Sequence, residues 1–376
     1  MSLLRARHVL FFAVATAACN TPPAADPCGA PADAEMSDDA SSPMAPPACT
    51  ACSAIAGDAL DQQMATQFAG EIAPVVAFNR TASVPIAMPG AMRMSSAGFV
   101  LRMAIASGDL DASQTLFRRI EDTLDRTYSD FAARPPLRVI EGMPTEDDTL
   151  NPVVELGDRC IAMLRTRGFT ADLSLGVRAN AQSAAIATVL DDTTGDAVGF
   201  QIAEQFNGWR LSQAARFMVA CGQLANQRFA VTLGLQLLDA SLNTLATSGP
   251  NAGAAIDERG QWDTNRQSAM VANAMDIFSL VSPGECATRR DRVESAARWL
   301  ASRVTPQGAV DSSLSSRTCV TGAADSRELD VSLAYRAVMA SAVAFEPMVM
   351  DSPLAAAAGR MSAFALQNPG QSTCFP

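Results

Sequence analysis

Residues 111–131, DASQTLFRRIEDTLDRTYSDF, place Phe117, Ile120, Leu124, Tyr128 and Phe131 at spacings of three and four, with charged residues between them. Apolar positions at that spacing share one face of an α-helix, whereas a half-buried strand would need alternation. Asp111 with Gln114 three residues later has the form of a capping box and predicts the helix start there. Working outward, Asn151-Pro152 reads as an N-cap and first helical residue, with Gly168 as the stop after Leu164. The same period predicts helices over 59–68, 97–105, 177–190, 211–221, 229–245, 267–280, 288–304, 329–345 and 353–366, while alternating patterns are scarce. The fold class is therefore all-α.

A glycine followed shortly by an aspartate recurs after predicted helices, at Gly168 to Asp172, Gly253 to Asp257 and Gly308 to Asp311. Hairpins of this length bury their faces only against neighbouring hairpins. Two arrangements satisfy that, a closed α/α toroid and an open helical solenoid. Long loops following each glycine, all at one end, favour the toroid over the solenoid or an irregular helical bundle.

The chain has 376 residues, 48% of them hydrophobic and 18% charged, enough to bury a sizeable core. Its 28 basic residues against 39 acidic ones give a net charge of −11, and every basic residue is arginine, because the sequence has no lysine. The single histidine is His8. Without histidine or lysine beyond that position, a Ser-His-Asp relay, an HExxH zinc site, a Schiff base and a Walker-type phosphate loop are all excluded.

His8 falls in a leader. Arg5 and Arg7 precede an apolar run from Val9 to Ala15, and Ala17-Ala18-Cys19 closes it with small residues, the form of a secretory signal peptide over 1–18. The apolar run is well short of the roughly 20 residues of a spanning helix. Small residues directly before a cysteine resemble a bacterial lipobox, which implies cleavage before Cys19 and a diacylglycerol on its thiol. Asn20 after that cysteine implies, by the same resemblance, an outer-membrane address. Residues 19–55 are rich in Pro, Ala and Ser, with Asp26, Asp33, Glu35, Asp38 and Asp39 and no base. Such a composition reads as a disordered tether, since it cannot offset its ordering entropy. A single helical domain is expected over 56–376. The acidic balance favours neither nucleic acid nor an anionic bilayer surface as a partner.

Setting Cys19 aside leaves eight cysteines, an even count that favours disulfides in an exported protein. Cys286 with Cys319 is the preferred pair because the two bracket one helix and its turn; Cys160 with Cys221 is next. Cys49-Thr50-Ala51-Cys52 has half the spacing of a zinc site, but no histidine and no second pair complete it, so no metal is expected. Asp191, Asp192 and Asp196 lack the spacing of a calcium loop and read as an acidic helix exit. No cofactor motif is present. Trp299 and Tyr335 lie on apolar helical faces and read as core.

The segment from Asp257 to Arg266, with Glu258, Arg259 and Trp262, is a charged loop with an aromatic between two predicted helices, where sites on helical scaffolds usually lie. Carboxylates there suit glycoside hydrolysis, and guanidinium groups suit neutralising a uronate carboxylate. Phe206-Asn207-Gly208-Trp209, the helices on either side, Gly253 and Glu258-Arg259-Gly260 resemble the core of the alginate lyase family of polysaccharide lyases over residues 200–280. The resemblance implies an α/α toroid, with Asn207 as the neutralising asparagine, Arg259 as the catalytic arginine, and Trp209, Arg210, Glu258 and Trp262 around an acidic polysaccharide. Gly208 stands where that family has histidine, and Arg266 where it has tyrosine. Arg266 would have to carry the proton, which an arginine with a pKa above ~12 gives up reluctantly. Two functions are thus set against each other: lyase-like binding or degradation of an acidic polysaccharide, and a non-catalytic envelope scaffold.

Overall fold

A computed structural model of the chain describes Cys28 and residues 47–81, 97–133, 146–255, 262, 264–310, 329–346 and 352–367, apart from some side chains within those ranges. These residues form fifteen helices: α1 (Pro47–Ala54), α2 (Ala59–Gln67), α3 (Ala69–Thr81), α4 (Ala97–Ala106), α5 (Leu110–Ala133), α6 (Glu146–Arg167), α7 (Leu173–Ala181), α8 (Ser183–Ala203), α9 (Gly208–Ala225), α10 (Arg228–Leu242), α11 (Thr264–Phe278), α12 (Pro283–Ala287), α13 (Arg290–Ala301), α14 (Leu329–Phe345) and α15 (Pro353–Gln367). Among the described residues there is no strand, only two isolated bridges, and the all-α expectation holds.

The helices α5 and α13 are amphipathic, as their sequences dictate. In α5, Leu116, Phe117, Ile120 and Leu124 are buried while Arg118, Asp122 and Asp125 face solvent. The start of α5 differs from the capping-box reading. Asp109 accepts the Ala112 N–H at 2.9 Å, and Gln114 instead donates to Asp172 on the neighbouring loop at 2.7 Å. Asp172 in turn caps α7 by accepting from Ser174. The run Asp191 to Asp196 lies inside α8 rather than at its exit, because Ala, Val and Phe continue the helix to Ala203.

Helix α9 is buried along nearly its whole length, as befits a helix whose sides all meet protein. It packs against α6, α8, α10 and α11. Contacts between helices then run in a cycle: α2 packs on α4, α4 on α6, α6 on α9, α9 on α11, α11 on α14, and α14 returns to α2. The intervening α3, α5, α8, α10, α13 and α15 each pack on members of this cycle. α9 and α10 approach closely because Gly234 faces Val219, where an added Cβ would lie 2.9 Å from the Val219 nitrogen.

The helices of the cycle share a direction, with α2 reversed. Trp209 and Arg266 meet at the starts of α9 and α11, and Arg165, near the end of α6, donates to Ser279 just past the end of α11. The start of α2 lies at this second end, with the Gly57 N–H donating to the Ser279 carbonyl at 2.8 Å. Gly253 and Gly308, both in the left-handed region, shape equivalent turns at the first end, where Leu245 bridges Ala255 and Val304 bridges Val310. Gly168 ends α6 at the opposite end, beside Asp58. The three glycines therefore do not mark loops at one end, because Gly168 follows a helix of the cycle while the other two follow helices outside it.

Among the described residues three disulfides are formed: Cys28–Cys49, Cys52–Cys286 and Cys160–Cys221. The Cys160–Cys221 pair is as expected, joining α6 to α9. Cys286 does not pair with Cys319, which lies outside the described residues. Helix α1 packs on α12 and brings the Cys52 Cα to 5.9 Å from that of Cys286, a long-range contact that local bracketing could not reveal. Residues 47–54 are accordingly not tether: Cys49 and Cys52 are buried and stapled to the domain.

Candidate functional site

Four helices of the cycle carry a single charge inside an apolar run, and these charges meet. Arg102 of α4 donates to Asp61 of α2 at 2.6 Å and to Asp276 of α11 at 2.8 Å. Asp276 also accepts from Arg216 of α9 at 3.2 Å and from Arg336 of α14, while Asp61 accepts from Arg165 of α6 at 2.8 Å. The network thus draws one residue from each of the six helices of the cycle, and all six are buried. Burial opposes the charged form of Asp276, but Arg102, Arg336 and Arg216 outweigh it and hold the carboxyl far below its ordinary range. Asp61 is likewise lowered by Arg102 and Arg165 against burial, and the Arg102 guanidinium is raised by its two aspartates. Every member is locked in ion pairs, so the network is built to hold helices together rather than to exchange protons.

At the Gly168 end the network reaches a cleft of about 370 Å³, whose floor is Asp61 and Arg165 and whose walls include Asp58, Ile105 and Phe169. Asp58 occupies the N-cap position of α2 but does not cap it; its carboxylate lies 3.3 Å from Arg165. Burial pushes that carboxyl up from its ordinary value, with Arg165 pulling the other way.

The residues singled out by sequence lie at the other end. Asn207 sits at the N-cap position of α9, buried, with no side-chain cap bond. Trp209 is the second residue of the helix, and the Arg266 guanidinium stands 5.8 Å from its ring centre. Trp262 is half-buried, its ring 6.5 Å from that of Trp299. Asn207, Trp209 and Arg266 are thus brought to one end of the molecule. Arg210 is held in an ion pair with Glu204 at 2.6 Å and lies over Phe200. Glu258 and Arg259 lie outside the described residues.

Gly208 is the informative position. A Cβ there would fall on Thr244 Oγ1 and 2.9 Å from Met270 Cε. The Gly208 carbonyl also accepts from Ser241 at 2.7 Å, tying the start of α9 to α10. A side chain at the place of the lyase histidine would therefore meet the Thr244 hydroxyl and the Met270 thioether, which would have to move aside to admit it.

Comparison of the chain with known protein families, with curated proteins and with solved structures found no match to any of them. The central network was missed in the sequence, although it left a signal: Arg102 within GFVLRMAIA, Arg216 within AARFMVA, Asp276 within VANAMDIF and Arg336 within LAYRAVM are lone charges in apolar helical runs. Such charges are buried only when paired.

Proposed function

We propose that the chain is a lipid-anchored protein of the bacterial outer membrane whose domain is a closed α/α toroid acting as a non-catalytic scaffold or binding module. The observation that carries the non-catalytic reading is Gly208: where the lyase-like motif calls for histidine, Thr244 and Met270 occupy the space a side chain would need. Arg266, in the place of the tyrosine, stacks on Trp209, an arrangement suited to holding a planar or anionic group and not to giving up a proton. The cycle of helix contacts from α2 round to α14 and back supports the toroid over a solenoid, whose terminal helices would not meet. The leader ending at Cys19 supports the anchor.

The Trp209–Arg266 pair favours a second reading, binding of an acidic polysaccharide at that end without turnover. Ultraviolet absorbance of the unsaturated uronate that every β-eliminating lyase releases tests the first reading across a panel of polyuronates. The expected result is no absorbance; a steady increase would overturn the non-catalytic reading. Equilibrium binding to the same panel separates the two functions, since binding without absorbance supports the second and neither supports the scaffold. Mass spectrometry of the mature N-terminus tests the anchor, with a diacylglyceryl Cys19 expected.

A further inference from the structure

We infer that the disulfides convert a long tether into a short one and so turn one end of the domain toward the bilayer. The inference rests on the proposed lipid at Cys19. By sequence, 33 residues separate Cys19 from Cys52, the first cysteine bonded into the body of the domain. Fully extended, that length would reach about 110 Å. The Cys28–Cys49 bridge changes the distance that matters. Cys49 is buried in α1, one turn before Cys52, which is bonded to Cys286 beside α12. Cys28 is therefore fixed to the domain, and only nine residues run from the lipid to the first fixed point. Whatever conformation those nine adopt, they span at most about 30 Å.

The point of attachment selects the end. α12 follows α11, so the Cys52–Cys286 staple lies at the end where α4, α6 and α11 finish, opposite the end with Asn207, Trp209 and Arg266. Helix α11 alone separates the two by about 22 Å. A second observation agrees. Of the large apolar residues left exposed among the described ones, Leu110, Leu173, Val177 and Phe229 lie in the first two turns of α5, α7 and α10, which start at the stapled end. Only Phe206 lies at the other end. Apolar side chains gathered on the face nearest a bilayer can rest in its interfacial region, whereas the net acidic chain gains nothing from an anionic surface. The partner of this face is accordingly the lipid surface, and the Trp209–Arg266 end is presented outward, away from it.

The test is photo-crosslinking of the mature lipidated protein in phosphatidylcholine vesicles that carry a diazirine-bearing lipid, with labelled peptides mapped by mass spectrometry. Label is expected on peptides bearing Leu110, Leu173, Val177 and Phe229 and not on those bearing Trp209 or Arg266. Cys28→Ser with Cys49→Ser restores the 33-residue spacing, and since effective concentration falls as about the −3/2 power of linker length, labelling of the stapled end should drop about sevenfold. A second variant guards against misfolding: about 24 Gly/Ser residues inserted after Asn20 give the same spacing with every disulfide intact, and the same drop is expected. Equal labelling of both ends, or no drop in the insertion variant, would overturn the orientation while leaving the anchor in place. An unmodified Cys19 in the same mass spectra would overturn both.

Discussion

Asp276 is the residue on which three helices other than its own depend. It accepts from Arg102, Arg216 and Arg336 together, and each of those guanidinium groups is buried. Removing the carboxylate leaves uncompensated charge in the interior, which is costlier than the pair was worth. Asp276→Asn is expected to lower stability by about 3–5 kcal/mol in urea unfolding. Its pH dependence follows from the direction of the shift. The folded carboxyl titrates below the ordinary 3.8, so its contribution is complete above that value and is lost as pH falls toward the folded pKa. The native protein should hold its stability from neutral pH down to about 4 and lose it below, with a shallower acid limb in the Asn variant. Gly208 makes the opposite kind of statement, about space. Gly208→His should lower stability through overpacking by about 1–3 kcal/mol and yield no β-elimination in the uronate absorbance assay. At this scale the sequence was legible for Trp299 and Tyr335, both buried as their apolar surroundings indicate. It was not legible for Asp276, since a lone charge in an apolar helix names neither its partners nor the helices that bring them.

Between elements, the helices were readable because their period is local. The predicted 329–345 coincides with α14, and 353–366 falls one residue short of α15. Helix ends were less readable where a distant residue decides them. Gln114 leaves the capping box because Asp172, 58 residues away, offers it a better acceptor, and Asp109 takes over the cap. The α9–α10 hairpin shows what a small residue contributes to packing. Gly234 lets α10 approach the backbone of α9 at Val219 and Ala215, and an added methyl would lie 3.0 Å from the Ala215 carbonyl oxygen. That atom belongs to a helix backbone and cannot swing aside. Gly234→Ala should therefore destabilise the protein by about 1–3 kcal/mol, although alanine is the better helix former by about 1 kcal/mol. Thermal unfolding of the variant measures the difference, and a gain in stability would show that the two helices can part without loss.

For the whole molecule the decisive question is how α14 meets α2. Sequence patterning could reach an all-helical chain with a partial repeat, but closure depends on contacts between the first helices and the last, and no local pattern encodes those. Three features hold that seam: the Phe68 and Tyr335 rings, edge to face at 6.4 Å; the Arg102–Asp276 and Arg102–Asp61 pairs, which tie α2 to α11 through α4; and the Cys52–Cys286 bridge, whose ends are 234 positions apart in sequence. In the chain-entropy account a bridge over that separation stabilises by about 5 kcal/mol, more than one over 61 residues at about 4 kcal/mol. The two bridges differ in what they hold. Cys160–Cys221 joins helices already packed side by side, whereas Cys52–Cys286 fastens the N-terminal helices to the start of the chain's fourth quarter. Replacing Cys52 and Cys286 by serine should consequently do more than lower the unfolding midpoint. In a closed toroid the seam becomes the weakest place, and amide exchange should quicken first in α1, α2 and α14 while α6, α9 and α11 keep their protection. A solenoid has no such seam, and the same double variant would then leave the exchange pattern of α2 and α14 unchanged relative to each other. Hydrogen-exchange mass spectrometry of the native and variant proteins separates these outcomes, because protection lost from α2 and α14 together is a signature that only helices packed on each other produce.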